Sequence, residues 1–187
     1  MMPLPASCRA TKAQQVLMRI LGVDPGLLRT GYGVVETASS GMKLVEAGVI
    51  VTVPGDGISK RLCDIYGNIS DVIKETSPSV MVLEKLYSHY KHPATSILMG
   101  HARGVICLAS GVAGTKLVNY SPTRVKKAVT GNGKAGKHQV RGMVKTILKL
   151  ASTPDPTDVS DALAMAISYA FIDGGLKQRP VLQVDAP

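Results

Sequence analysis

The stretch Ile20-Leu-Gly-Val-Asp-Pro-Gly26 is an apolar run that ends in an acid and a turn. Gly31-Tyr-Gly-Val-Val35 is a second apolar run shortly after it, so the two segments predict a β-hairpin with Asp24 at the end of the first strand. Pro25 favours an extended backbone at Asp24, and Gly26 tolerates a positive φ, so the carboxylate is presented at a strand end. This position suits a metal ligand, although an Asx turn that closes the hairpin explains the same residues.

The segments that follow alternate between strand patterns and helix patterns. A third strand is predicted at 43–53, and buried strands at 79–84 and 116–120. Helical spacing of apolar residues predicts helices at 58–76, 93–113 and 140–149, with further helix starts at Ser121 and Thr157. A strand that follows a crossover helix normally lies parallel to an earlier one. We therefore expect an α/β fold in which helices flank a mixed sheet, made of a three-stranded antiparallel meander plus parallel strands.

Glu84 repeats the placement of Asp24, because it stands at the carboxyl end of a continuous apolar strand. Parallel strands end at the same edge of a sheet, so the two carboxylates are expected to lie near each other. The alternative is that Glu84 begins a solvated loop and pairs with Lys85.

The last predicted helix adds two more acids. Thr157 is the expected N-cap, which places Asp158 in the first turn and Asp161 three residues further on, on the same face. A favourable interaction with the helix dipole is the alternative explanation for Asp158. Asp161 begins a packed apolar segment, where an unpaired buried acid would be costly.

Four acids at ends of elements, in a basic chain, are typical of a metal-dependent nuclease. The 22 Lys and Arg residues against 13 Asp and Glu residues give a net charge of +9, which favours a polyanionic partner such as nucleic acid. Four carboxylates share a small site as ions only when cations neutralise them. We therefore expect two Mg²⁺ ions per active site, with Mn²⁺ as a substitute, and the expected ligands and catalytic residues are Asp24, Glu84, Asp158 and Asp161.

Candidate DNA contacts lie in two segments. In the segment 85–92, Tyr87 is placed to stack on an unpaired base and Lys91 to meet phosphates, although the aromatic residues there could instead anchor the loop against the sheet. The segment 123–137 is the basic centre of the protein and surrounds Gly131-Asn-Gly133; a solvated basic face is its default explanation. Its candidate contacts are Arg124, Lys126, Lys127, Lys134 and Lys137.

Length and composition predict one globular domain, because 187 residues suffice to bury a full core. The expected organisation is a disordered extension at 1–17, a nuclease domain at 18–172 and a tail at 173–187. No apolar run is expected to be long enough to span a bilayer, so no membrane partner is predicted. The three cysteines lack CxxC spacing and suit a reducing cytoplasm.

From Arg19 to about Ala170 the sequence resembles the RuvC family of bacterial Holliday junction resolvases. The resemblance is carried by Gly-Val-Asp-Pro-Gly with Thr-Gly-Tyr-Gly after it, Leu-Glu-Lys-Leu-Tyr, His-Ala-Arg-Gly, Ser-Pro-x-x-Val-Lys, Gly-Asn-Gly and Asp-Val-Ser-Asp-Ala-Leu-Ala. It implies an RNase H-like fold, a homodimer, and symmetric paired nicks in four-way junction DNA during recombination and repair. It also implies the branch-migration proteins RuvA and RuvB as partners.

The same resemblance implies roles for individual residues. Lys126 and Lys137 match family lysines that support cleavage and binding, and Tyr87 falls where the family usually has Phe. The implied reaction is attack by a metal-activated water on the scissile phosphate, which leaves a 5′-phosphate and a 3′-hydroxyl. The four metal-binding catalytic acids of the family match Asp24, Glu84, Asp158 and Asp161.

Three other functions are weaker explanations of the sequence. A junction-binding protein without turnover is disfavoured because all four acids are present. An actin-like sugar kinase or ATPase needs a second nucleotide-binding half, for which 187 residues leave no room. An RNase H-like nuclease that acts on RNA–DNA hybrids is the nearest enzymatic alternative.

Overall fold

The computed structural model describes residues 17–39, 41–85 and 93–176, in which one five-stranded sheet lies between two layers of helices. The strands are β1 (Arg19–Asp24), β2 (Arg29–Ala38), β3 (Gly41–Val51), β4 (Val80–Glu84) and β5 (Lys116–Tyr120). The helices are α1 (Ile58–Thr76), α2 (Pro93–Val112), α3 (Pro122–Thr130), α4 (Lys137–Leu148) and α5 (Thr157–Ile172).

The sheet has the order β3-β2-β1-β4-β5 and is mixed, as the sequence predicted. β1, β2 and β3 form an antiparallel meander, in which Asp24 is paired with Gly31. β4 runs parallel to β1 and β5 runs parallel to β4, with Val23 opposite Leu83. The carboxyl ends of β1, β4 and β5 therefore meet at one edge, and Asp24 and Glu84 end neighbouring strands there.

The core has two parts because successive side chains of a strand point to opposite faces of the sheet. One face packs against α1 and α2, and the strand residues buried there include Leu21, Val23, Met81 and Leu83. The other face packs against α3, α4 and α5, and its buried strand residues include Ile20, Val80, Val82 and Tyr120. The sheet is thus covered on both sides, which explains the continuous apolar runs of β1 and β4.

Helix α5 lies unusually close to β1 and β2 because glycines face it. A Cβ atom at Gly22 would lie 2.0 Å from the carbonyl oxygen of Ala162, and one at Gly31 would lie 2.2 Å from that of Asp158. Any other residue at either position would force the helix away from the sheet. These two glycines therefore set the depth at which α5 and its acids lie.

The start of α5 differs from the sequence prediction. Thr157 is the first helical residue rather than the N-cap, and Pro156 occupies the cap position in an extended conformation with no side-chain cap. Ser160 in the first turn donates instead to the carbonyl of Pro154 at 2.8 Å. The predicted cap at Ser121 is confirmed, since its hydroxyl oxygen accepts a bond from the Arg124 amide at 3.3 Å.

Helix α2 corrects a second expectation. Within the described residues, Ala94–Val112 is a 19-residue helical segment with a mean hydropathy of 1.2, which by length and composition alone is enough to cross a membrane. The prediction that no apolar run reaches that length is therefore wrong. In the fold, α2 packs along α1 and β5. Its large exposed apolar side chains are Ile97, Leu98, Leu108 and Val112.

Candidate metal and nucleic-acid site

The turn after Asp24 is held in place by threonine hydroxyls. Thr30 donates to the carbonyl of Gly26 at 2.7 Å, and Thr52 at the end of β3 donates to the carbonyl of Leu27 at 2.6 Å. These bonds tie the loop between β1 and β2 to the start of β2 and to the residue that follows β3. The half-buried Asp24 is thereby fixed at the edge where β4 also ends with Glu84.

The two acids of α5 reach the same edge from above the sheet. Asp158 lies in the first helical turn, next to Gly31 of β2, and Asp161 follows three residues later. Residues three apart share one face of a helix, so both carboxylates belong to the side of α5 that begins over the sheet edge. The structure thus brings all four predicted acids to one end of the sheet.

The acids are close enough to perturb one another. The pKa of the Asp24 carboxyl is raised to about 7, mainly by burial and then by the nearby carboxylates of Asp161, Glu84 and Asp158, in that order of importance. Burial is also the main reason that the pKa of Glu84 and of Asp161 lies above its ordinary value. Crowded, partly buried carboxylates of this kind require positive charge nearby to compensate their negative charge.

Two lysines from the other helices supply part of that compensation. Lys137, at the start of α4, lowers the pKa of Asp24, Glu84 and Asp161, and Lys126 of α3 lowers that of Glu84 and Asp161. Both lysines were predicted as DNA contacts from the basic segment. Their position at the acidic edge means that a phosphate bound by them would lie beside the carboxylates.

Asp158 has a partner that sequence reasoning did not identify. Its Oδ2 atom forms an ion pair with Nε of Arg29, at the start of β2, with a separation of 3.0 Å. Within the described ranges, no three His, Cys, Asp or Glu side chains are gathered into a ready-made metal site. The four acids share an edge without forming a closed cage.

The donor chemistry nevertheless fits a hard divalent cation. The four side chains offer only carboxylate oxygens, which Mg²⁺ and similar ions prefer. The crowding that raises the pKa of Asp24 is the electrostatic condition that a cation would relieve. The assignment of Asp24, Glu84, Asp158 and Asp161 as metal ligands therefore stays a prediction that the chemistry of the edge supports.

Arg103 is a second residue that the sequence reasoning missed. From α2, its Nη1 atom donates to the backbone carbonyl of Glu84 at 2.6 Å, and its Nη2 atom donates to Oδ1 of Asn119. The available signal was a charged residue inside an apolar helix rich in small residues, because a partly buried guanidinium requires partners. It stands in the His-Ala-Arg-Gly motif that contributed to the family resemblance.

The remaining predicted DNA contacts divide into two groups. Arg124, Lys127 and Lys134 are exposed on α3 and the following turn, and the Arg124 guanidinium lies over the ring of Tyr120 at 4.6 Å. Tyr87 and Lys91 lie outside the described residues. Their proposed contacts therefore remain predictions from the sequence.

Comparisons with known proteins agree with this architecture. The family model for crossover junction endodeoxyribonuclease RuvC matches residues 20–169. A protein of that name from Rhodopirellula baltica is 49% identical over 153 residues, which are 82% of this chain and 86% of the relative.

Solved structures give the same result. The Thermus thermophilus RuvC structure matches with a TM-score of 0.77 at 31% identity, covering 82% of this chain and 94% of that chain. The T. thermophilus RuvC in complex with a Holliday junction substrate matches with a TM-score of 0.76 at 31% identity, covering 82% of this chain and 93% of that chain. The predicted fold class, an RNase H-like mixed sheet flanked by helices, is thereby confirmed.

Proposed function

The chain belongs to the RuvC family of crossover junction endodeoxyribonucleases, and from this premise we propose that it resolves Holliday junctions by paired symmetric nicks in homologous recombination and DNA repair. The observation that carries the proposal is the gathering of four acids at the edge where β1 and β4 end, where burial and then the neighbouring carboxylates raise the pKa of Asp24 to about 7. Bound cations would favour full ionisation of such a site, and it lies beside lysines that attract phosphate.

The proposed ligands are Asp24, Glu84, Asp158 and Asp161, holding two Mg²⁺ ions for which Mn²⁺ substitutes. When bound, divalent cations would lower the pKa of a water molecule and stabilise negative charge on the scissile phosphate and its leaving oxygen. The expected products of this hydrolysis are a 5′-phosphate and a 3′-hydroxyl.

The basic side chains of the chain bind and orient the substrate. Lys126 and Lys137 lie close enough to the acids to lower their pKa, so a phosphate that they hold would be presented to the carboxylate edge. Contacts with the phosphate backbone further from the site would come from Lys91, Arg124, Lys127 and Lys134. Tyr87 is proposed to stack on an unpaired base at the junction.

Two coordinated cuts require two sites, which a homodimer supplies by symmetry. The exposed apolar side chains of α2, which include Ile97, Leu98 and Leu108, offer a surface that a second copy would cover.

RuvA and RuvB are proposed as further partners. A cytoplasmic location belongs to the same proposal, in keeping with the free thiols of Cys63 and Cys107.

The deciding experiment is cleavage of a synthetic mobile four-way junction labelled at each 5′ end, with Mg²⁺, with Mn²⁺ and with a chelator. We expect symmetric nicks on two opposed strands only when a divalent cation is present. An RNA–DNA hybrid and a linear duplex of the same sequence serve as substrate controls. Binding without nicking under both metals would favour a junction-binding protein without turnover, and preferred cleavage of the hybrid would favour a different RNase H-like activity.

A further inference from the structure

The Arg103 side chain connects α2 to the ends of two parallel strands. One guanidinium nitrogen donates to the backbone carbonyl of Glu84, the last residue of β4, at 2.6 Å. Another donates to the side chain of Asn119, the penultimate residue of β5. The half-buried Arg103 therefore bridges β4 and β5 at the sheet edge that carries the acids.

This bridge lies where the backbone ladder between the two strands ends. The Lys85 amide donates to the carbonyl of Tyr120 at 2.8 Å, directly after the register pair of Glu84 and Tyr120. A half-buried carbonyl at the end of a strand requires a donor. Arg103 supplies a charged one, and hydrogen bonds from a guanidinium are stronger than those between neutral groups.

Arg103 contacts the main chain of Glu84 and not its carboxylate. Among the described residues, the cations that lower the pKa of the Glu84 carboxyl are Lys126 and Lys137. Balancing the negative charge and holding the backbone are thus tasks of different side chains. A loss of Arg103 would leave the lysines in place and release only the backbone support.

We propose that Arg103 is a positioning residue, which fixes the backbone of Glu84 so that its carboxylate points into the acidic edge. The proposal rests on the proposed function, in which Glu84 is one of the site acids. Displacement of a reacting group by about 1 Å costs about 100-fold in rate, so support of this kind has a measurable effect on cleavage. Lysine is a poor replacement, because a single ammonium does not reproduce the planar fork that reaches both strands.

The test compares Arg103→Gln and Arg103→Lys with a matched control, Arg19→Gln. Arg19 also donates to a backbone carbonyl, that of Thr76 at 2.8 Å, and to a carboxylate, that of Glu36 at 3.0 Å, but it lies at the opposite edge of the sheet. Four quantities are measured on the full chain: the single-turnover cleavage rate, junction affinity in chelator, Mn²⁺ affinity without DNA, and thermal unfolding.

For Arg103→Gln we expect the cleavage rate and the Mn²⁺ affinity to fall by about 10- to 100-fold, the range typical of residues that orient metal ligands. Junction affinity in chelator should stay within about twofold, because the phosphate-binding lysines are unchanged. Arg103→Lys should restore only part of the rate. Arg19→Gln should leave both the rate and the Mn²⁺ affinity within about twofold of the wild type, since its bonds end far from the acids.

The proposal is overturned if Arg103→Gln lowers the melting temperature but keeps the wild-type rate and Mn²⁺ affinity, or if Arg19→Gln lowers the rate equally. If Arg103→Gln does not fold, Asn119→Ala removes one of the two anchors of the guanidinium, and an unchanged rate and Mn²⁺ affinity in that variant would have the same meaning. A wild-type protein that neither nicks junctions nor binds Mn²⁺ overturns the proposed function, and the role of Arg103 with it. If the wild type nicks junctions but no faster than its Arg103 variants, the role of Arg103 alone is overturned.

Discussion

At the scale of single residues, Asp24 is the side chain whose ionisation the fold opposes most clearly. Its pKa rises from 3.8 to about 7, first through burial and then through the surrounding carboxylates. The folded protein therefore holds a proton on Asp24 that the unfolded chain has already released between about pH 4 and pH 7. Below that window protonated Asp24 contributes fully to the stability of the folded state, and this contribution is lost as the pH rises through the window.

Asp24→Asn removes the free-energy cost of ionising the carboxyl at this position. In metal-free buffer, the wild type should lose a few kcal/mol of unfolding free energy between about pH 4 and pH 7, at about 1.4 kcal/mol per unit of pKa shift. The variant should show a flatter profile and greater stability than the wild type at pH 8, and it should bind junctions without cutting them. Urea unfolding at several pH values, alongside a cleavage assay, measures both effects. Parallel stability profiles, or retained nicking, would contradict the assignment.

Arg29→Gln tests the ion pair with Asp158. The two side chains are 45% and 28% exposed, so the pair contributes at most about 1 kcal/mol. Without the guanidinium, the carboxylate is free for a cation, and Mn²⁺ affinity should increase by up to about fivefold. A titration followed by electron paramagnetic resonance measures it. Lys60→Gln, which breaks an exposed pair with Asp56, is the control; an Arg29 variant with equal or weaker Mn²⁺ binding would be inconsistent with competition.

The residues that the sequence revealed and those that it missed differ in a physical way. Asp24 and Glu84 could be found because each ends an apolar run, where an acid is conspicuous. The contacts of Arg29 and Arg103 could not be found, because their partners, Asp158 and the Glu84 carbonyl, lie 129 and 19 positions away and are reached by long side chains. Such contacts depend on how the elements pack, which periodicity does not specify.

At the scale of elements, the closeness of α5 to the sheet is the feature most open to test. Gly22→Ala would place a methyl group 2.0 Å from the Ala162 carbonyl oxygen, so α5 must move with both of its acids. We expect a loss of roughly 1–3 kcal/mol or more in unfolding free energy and a marked loss of cleavage. Thermal unfolding and single-turnover rates measure the two effects.

Gly67→Ala is the matched control, because it changes a helical glycine of α1 with nothing within 4 Å of the new methyl group. That variant should gain up to about 1 kcal/mol from helix propensity and keep its cleavage rate. Equal behaviour of the two alanine variants would show that the contact between α5 and β1 does not constrain the site.

The predicted elements were most accurate where hydrophobic periodicity was strong. The helix predicted at 58–76 and the strand predicted at 116–120 are α1 and β5. The N-cap at Thr157 was wrong, because the loop before it places Pro156 in the cap position and turns the Ser160 hydroxyl towards Pro154. Local sequence preference does not determine how a loop enters a helix when packing fixes its path.

At the scale of the whole molecule, charge is separated between the acidic edge and the basic helices beside it. The chain carries a net charge of +9, with four of its 13 acids at one end of the sheet. Lys126→Ala should weaken junction binding and reduce the slope of log affinity against log salt by about 1, the amount expected for one lost phosphate contact.

Binding titrations in chelator at several salt concentrations measure this slope. Lys43→Ala serves as the control, since Lys43 is exposed on β3 and pairs with Glu36 at 2.7 Å. An unchanged slope for Lys126→Ala, or an equal change for both variants, would count against a phosphate contact at Lys126.

The overall fold was predictable because the chain order of strand and helix patterns restricts the topology. An antiparallel hairpin followed by strand, helix and strand leaves few arrangements once the crossover is right-handed. The packing partner of α2 was harder to predict, because small residues along one side of a helix suit close packing either on the sheet or against a second chain. The boundaries proposed at 17–18 and 172–173 remain predictions, although Leu176 still packs against the core.

All four carboxylates come from regular elements: two from strand ends and two from one helix that touches the sheet backbone. Within the described residues, the acidic edge consequently has no hinge of its own, so we expect it to unfold together with the scaffold and not ahead of it. On gradual heating, the enzyme should keep full competence up to the cooperative transition and then lose it all at once. Inactivation and denaturation curves recorded on one sample should coincide.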